Sequence, residues 1–226
     1  MTCRLNGKEQ TATFIHIPKT GGHVVEGMAR LIDGGTHNPV GEKGCEQRHL
    51  LPVQLRTTPD YMFTVVRHPL AWYASWWKYN MALMKRRGWT RWRAWGDGGW
   101  HPCQPLDACR PNNGEFDLFI RNVVSRAPGF LSHLAQHYIG PPGWQIVDLV
   151  GTQETLLDDL ATVAKTIGAD VSKEDLVGIG WPNKTLWDEP EWTLDLKEAV
   201  LETEAVYVER FYGDTPPQSR KRGHYR

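Results

Sequence analysis

Two short stretches carry the residue types that could do chemistry. The first is Pro18-Lys19-Thr20-Gly21-Gly22-His23, and the second is Arg67-His68-Pro69, with Ser75 eight residues after the arginine. A lysine and two glycines at the start of a helix suit an anion. Glycine lets the backbone come close, the N–H groups of the first turn point outward, and the helix dipole favours negative charge. A guanidinium with a hydroxyl two helical turns further on suits a phosphate monoester, although the same pair taken alone is also an ordinary arginine after a strand and an ordinary helix serine. Residue order narrows the first stretch. A Walker A loop, GxxxxGK[ST], places lysine after the glycines and a hydroxyl beside it for magnesium. Here Lys19 precedes Gly21 and Gly22, so a nucleoside triphosphate with magnesium fits poorly. An anion that needs no metal fits better.

These residues need elements to position them. Phe14, Ile15 and Ile17 give a short apolar strand over 12–17, and Val24, Val25, Met28 and Leu31 follow the glycines at helical spacing. Tyr61 to Val66 is a continuous apolar, β-branched run, expected to be buried on both faces as in a parallel sheet covered by helices. Pro69 opens a helix from Leu70 to about Arg87, ended by Lys85, Arg86, Arg87 and Gly88. A third strand is expected from Ile146 to Val150, then Gly151-Thr152-Gln153-Glu154 and an amphipathic helix over Thr155 to Ile167 stopped by Gly168. Further helices are expected over 115–125, 129–138 and 191–211, with a short one over 49–56. The stretch from Gly96 to Asn113 is too rich in Gly, Pro and Asp for regular structure and reads as a loop. Strands separated by helices indicate an α/β fold, three layers with a central parallel sheet flanked by helices. Ligands of such sheets sit beyond the carboxyl ends of the strands, where Lys19, Arg67 and Thr152 fall.

Composition bounds the rest. With 226 residues the chain is expected to form a single domain over 1–226, its core from about 11 to 212 and a basic tail over 213–226. Lys+Arg 26 balances Asp+Glu 26, which gives no argument for nucleic acid or an anionic membrane as partner. No apolar run is long enough to span a bilayer and MTCRLNGKEQ has no signal-peptide core, so a cytoplasmic protein is expected. The four cysteines, Cys3, Cys45, Cys103 and Cys109, lack zinc-site spacing and read as free thiols, with Cys103 and Cys109 able to bridge in an oxidising compartment. Of 11 tryptophans, six (Trp72, Trp76, Trp77, Trp89, Trp92, Trp95) fall between positions 72 and 95. Trp72 and Trp76 make a helix core stripe. Trp89, Trp92 and Trp95 lie among Arg86, Arg87, Arg91 and Arg93, with aromatic faces suited to sugar rings, an anionic ligand or a partner protein, and 88–114 is expected to be a loop or lid, on the acceptor side under the resemblance given next.

Taken together, HIPKTGG and the Arg67, Pro69, Ser75 group resemble the phosphosulfate-binding motifs of the sulfotransferase superfamily, in its carbohydrate and heparan-type branch. VGTQETLLDDLATVAKTIG resembles that family's later strand, turn and helix, and Asn183-Lys184-Thr185 sits where its members carry a short polar motif. The resemblance implies a P-loop nucleotide-hydrolase-like fold. It also implies a metal-free transfer of a sulfuryl group from 3′-phosphoadenosine 5′-phosphosulfate (PAPS) to a hydroxyl or amine of a carbohydrate or other small metabolite. Under it, the N–H groups of Thr20, Gly21, Gly22 and His23 and the Thr20 hydroxyl bind the 5′-phosphate. Lys19 stabilises the charge on the bridging oxygen, and Arg67 and Ser75 hold the 3′-phosphate. His23 departs from the Thr or Ser usual after the double glycine, although imidazole can still donate a hydrogen bond.

The transfer also needs a base, and a histidine or a raised glutamate meets the pKa requirement. His49 is the first choice, because related enzymes carry a histidine in the segment before the 3′-phosphate strand. A surface helix histidine is the plain alternative. His16, directed into packing or toward the loop, His37, His68, Glu26 and Glu154 are lesser candidates. Two other readings stay open: a P-loop-type small-molecule kinase, and a non-catalytic nucleotide-binding module that keeps the fold.

Overall fold

The computed structural model describes residues 2–5, 8–32, 49–55, 59–87, 101–111, 114–180 and 188–213. The chain is α/β. Three parallel strands, β2 (Lys8–Phe14), β3 (Tyr61–Val66) and β4 (Leu149–Thr152), lie side by side in that order. The strand β1 (Thr2–Leu5), which the sequence reading passed over, pairs antiparallel with β2. Phe14 stands opposite Phe63, and Val65 opposite Gly151. As expected of a central parallel strand, β3 ends in four consecutive buried residues.

Strand ends differ from the expected ones because side chains take over the ladder. The Ile15 N–H still donates to the Phe63 carbonyl (2.8 Å), but the Ile15 carbonyl accepts the Thr64 hydroxyl (2.6 Å) in place of an amide, so β2 stops at Phe14. Likewise Asp148 N–H donates to the Met62 carbonyl while the Asp148 carboxylate accepts Met62 N–H, both at 2.7 Å, and β4 starts one residue later.

The described residues form two compact units. The first draws on 1–66 and 137–183. Its core sets Ala12, Phe63 and Val65 of the sheet against α1 (Gly22–Ile32), α5 (Leu156–Thr166) and α6 (Lys173–Ile179). Val24, Val25 and Met28 face inward from α1, and Leu156, Leu160 and Val163 from α5, at the spacing that makes one helical stripe. Each such side chain contributes about 1.5–3 kcal/mol on burial. The short α6 was not expected from the sequence. It starts at a reciprocal cap, with Ser172 Oγ accepting Asp175 N–H and the Asp175 carboxylate accepting Ser172 N–H.

The second unit draws on 67–136 and 184–216. It holds α2 (Pro69–Arg87), α3 (Phe116–Arg126), most of α4 (Phe130–Ile139), α7 (Leu194–Thr203) and α8 (Ala205–Tyr212). Trp72 and Trp76 are core residues as expected, with ring planes 10° apart and centroids 5.6 Å apart. Gln104–Cys109 is a short 3-10 helix where a loop was expected. Leu106, Cys103 and Cys109 anchor it inward, both cysteines are free thiols, and burial pushes the Cys109 thiol up to about 11. The expected Trp89, Trp92 and Trp95 lid, His37, Asn183-Lys184-Thr185 and the basic tail from 214 onward lie outside the described residues. Among the described residues no helix is long and apolar enough to cross a membrane.

The single helix expected over 191–211 is two, broken at Glu204. Glu204 is 0 % exposed, and its carboxylate accepts Leu131 N–H, Ser132 N–H and the Ser132 hydroxyl, each at 2.9 Å, and the Tyr73 hydroxyl at 2.7 Å. It thereby caps the first turn of α4, whose N–H groups have no intrahelical partner. Burial, reinforced by the Glu204 charge, holds the Tyr73 phenol well above its ordinary range. The Glu204→Gln variant keeps the shape but points an NH2 group at donors. Such a mismatch in a buried network costs about 2–4 kcal/mol. A urea midpoint within error of wild type would show that the four hydrogen bonds contribute little.

Candidate functional site

In the first unit the chain leaves β2 through Ile15 and Ile17, both buried, and turns at Pro18 and Lys19 into α1. Lys19 has φ 68° and is the one non-glycine residue with positive φ among the described residues. Left-handed backbone at an L-residue costs about 1–2 kcal/mol. Thr20 is 0 % exposed and its hydroxyl donates to the Ile17 carbonyl at 2.8 Å, which closes the turn. The hydroxyl is therefore engaged within the loop.

The two glycines have separate reasons. Gly21 has φ 94°, which favours glycine, and a Cβ there would stand 2.8 Å from Leu156 Cδ2. Gly22, the first residue of α1, is a matter of space. A Cβ at Gly22 would lie 2.2 Å from His16 Nε2, so the His16 imidazole rests on the bare Cα of the helix start. Val24 N–H bonds to the Gly21 carbonyl at 3.0 Å, and by helix geometry the N–H groups of Gly22 and His23 have no intrahelical acceptor. The His23 side chain is half-exposed and its Nδ1 lies 3.1 Å from Glu26 Oε2, one turn along. What His23 offers at the loop is thus its backbone.

His49 is brought to this loop. Its Nδ1 lies 2.9 Å from the His16 carbonyl oxygen, and the two imidazole centroids are 4.5 Å apart. A carbonyl only accepts, so Nδ1 carries the proton and the lone pair of the neutral ring is on Nε2. The His49 carbonyl in turn accepts the Tyr138 hydroxyl at 2.9 Å. At 6 % exposure His49 is not the surface helix histidine of the plain alternative, and the helix expected over 49–56 is reduced to a 3-10 turn at Pro52–Gln54. His16 stacks on Phe14 at 5.1 Å and so stands between the strand, Gly22 and His49. Of the other candidates, Glu26 is tied to His23 and Glu154 is exposed.

Gln153, which sequence reasoning did not single out, also borders the loop. Its Cγ is 4.0 Å from the position of a Gly21 Cβ, and its N–H donates to the Val66 carbonyl at 2.8 Å. The Gln153 Oε1 atom is buried with no hydrogen-bond partner among the described residues.

Arg67 and Ser75 belong to the second unit. Arg67 is half-buried and is separated from α2 by His68 alone, whose carbonyl accepts Trp72 N–H at 2.8 Å. Ser75 lies on α2 at 7 % exposure, three residues after Trp72 and so on the same face. The Arg67 main chain is held by the Tyr207 hydroxyl, from a helix 140 residues away in sequence, for which no local signal exists.

Comparison with known proteins returns nothing: no family model matches the chain, and neither a curated protein nor a solved structure does.

The Gly22 contact is testable by itself. Gly22→Ala should destabilise the protein by about 1–3 kcal/mol, as overpacking does, and should cost much less in a His16→Ala background. Equal costs in both backgrounds, read from thermal denaturation, would show that the imidazole is not what excludes a side chain at position 22.

Proposed function

We propose that this protein is a sulfotransferase, moving the sulfuryl group of PAPS to the hydroxyl or amine of a carbohydrate or other small metabolite. The observation that carries the reading is the strained loop itself. Lys19 at φ 68° and Gly21 at φ 94° turn the chain from a parallel strand straight into the N-terminus of α1. Successive N–H groups at such a turn and helix start make an anion-binding concavity. These features fit the 5′-phosphosulfate end of the donor.

The bound donor supplies the sulfuryl group. The N–H groups of Thr20, Gly21, Gly22 and His23 hold its 5′-phosphate, and Lys19 neutralises charge at the bridging oxygen. Arg67, with Ser75, binds the 3′-phosphate, which separates this donor from ordinary adenine nucleotides. His49 takes the acceptor proton on Nε2, a role its fixed tautomer supports. Positioning and charge stabilisation account for the rest of the catalysis. A P-loop nucleotide-hydrolase-like fold, with helices covering both faces of the sheet, belongs to the same proposal.

Thermal shifts with 3′-phosphoadenosine 5′-phosphate, AMP, and ATP with magnesium give the first test. The 3′-phosphorylated nucleotide should stabilise most, and a preference for ATP with magnesium would favour a kinase. Labelled-sulfate transfer is the second test. Lys19→Gly should abolish transfer while raising stability by about 1 kcal/mol through relief of the left-handed backbone. His49→Ala should lower turnover about 10²–10⁴-fold. Donor binding by a wild type that labels nothing in a broad acceptor panel would point to a non-catalytic nucleotide-binding module.

A further inference from the structure

Tyr207 does nothing in the chemistry above, yet its hydroxyl is committed to one residue of the proposed donor site. The Arg67 N–H donates to Tyr207 Oη at 3.3 Å, and the Oη–H donates to the Arg67 carbonyl at 3.1 Å. One phenol thus satisfies both main-chain groups of the same residue. The Tyr207 side chain is buried, held by the edge of Phe211 at 4.8 Å and the face of Tyr212 at 6.4 Å. Tyr212 makes a second, separate contact with the same segment, its ring meeting that of His68 edge-on at 5.1 Å. Helix α8 therefore grips two consecutive residues, Arg67 and His68, through two different side chains.

We propose that Tyr207 is a positioning residue for Arg67 and that selectivity for a 3′-phosphorylated nucleotide depends on it. This rests on the reading of Arg67 as the 3′-phosphate anchor. Main-chain groups at a strand-to-helix turn need partners, and a partner that is a single rigid phenol fixes the direction in which the side chain leaves. A guanidinium recognises phosphate through a planar fork, so small changes in that direction misalign both of its bonds. Freedom at the Arg67 backbone must be lost again when phosphate binds, which weakens binding. The effect should be confined to ligands that engage Arg67. Removing the hydroxyl leaves the ring packing intact, so a nucleotide lacking the 3′-phosphate should not register the change.

The experiment measures dissociation constants of 3′-phosphoadenosine 5′-phosphate and of AMP by calorimetry. It uses the full chain as wild type, Arg67→Ala, Tyr207→Phe and Tyr207→Gln, with circular dichroism and melting as fold controls. Wild type should prefer the 3′-phosphorylated nucleotide and Arg67→Ala should erase the preference. Tyr207→Phe should reduce the preference about ten-fold with AMP affinity unchanged, and Tyr207→Gln, whose amide offers a donor and an acceptor, should recover part of it. If Tyr207→Phe melts too low to assay, the Gln variant carries the comparison: a preference between those of wild type and Arg67→Ala supports the role, and one equal to wild type overturns it. A Tyr207→Phe protein with wild-type preference, or one that loses both nucleotides equally, overturns the positioning role while the Arg67 reading stands. A wild type without the preference, or an Arg67→Ala protein that retains it, overturns the Arg67 reading and this inference with it.

Discussion

The contact between the His16 imidazole and the bare Cα of Gly22 is the constraint on which the loop depends. It lets α1 begin directly against the end of the strand, because no side chain intervenes between ring and helix. The strand end that carries His16 is fixed from the other side, by Ile15 N–H on the Phe63 carbonyl and the Thr64 hydroxyl on the Ile15 carbonyl. Phe14 stacks beneath the ring and His49 leans on it, hydrogen-bonded to the carbonyl of the same residue. Position 16 therefore sets three things together: the path of the loop, the start of the helix dipole, and the tautomer of the nearest buried histidine. A larger residue at 22 would displace the ring, and a shorter one at 16 would remove it while leaving the carbonyl that fixes His49.

The second unit depends on a buried carboxyl group. Four hydrogen-bond donors meet the Glu204 carboxylate oxygens, which satisfies them away from water. Glu204 N–H donates to the Val200 carbonyl and its own carbonyl accepts Val208 N–H, both at 2.9 Å, so the interruption between α7 and α8 is confined to this one residue. Tyr207 follows Glu204 by three residues, within the first turn of α8. The network that caps α4 thus also aims the phenol that holds the Arg67 main chain, so a stability element and a candidate specificity element share one backbone turn.

Periodicity made most helices legible, since α1, α2, α3, α4 and α5 lie within a few residues of their expected spans. The parallel sheet followed from apolar runs separated by helices. What escaped had either a short local signal or none. Asn6-Gly7 between β1 and β2 is a strong hairpin dipeptide, and Ser172-x-x-Asp175 is a capping box, so both β1 and α6 were readable in principle. The buried network at Glu204 was not, because the donors that meet its carboxylate lie some 72 to 131 residues away. The same holds for the candidate site. Lys19, Gly21 and Gly22 announce an anion loop locally. That His16 explains Gly22, that Gln153 borders Gly21, and that Tyr207 holds Arg67 are facts of tertiary approach, invisible at any sequence window.

Lys19 shows how far the loop is shaped by something other than folding. A glycine at this position would adopt φ 68° without the roughly 1–2 kcal/mol that an L-residue incurs. Pro18 stands directly before this residue and the Thr20 hydroxyl closes the turn on the Ile17 carbonyl after it, so nothing in the turn itself calls for a lysine. What lysine adds is a charge at the mouth of a helix N-terminus. A charge-assisted hydrogen bond to the proposed anionic donor is worth about 1.5–3 kcal/mol, the same order as the strain. Strain at a non-glycine residue runs from observed outlier to functional hypothesis. Under the proposed reaction it falls on the side chain assigned to the charge that builds on the bridging oxygen as its bond breaks.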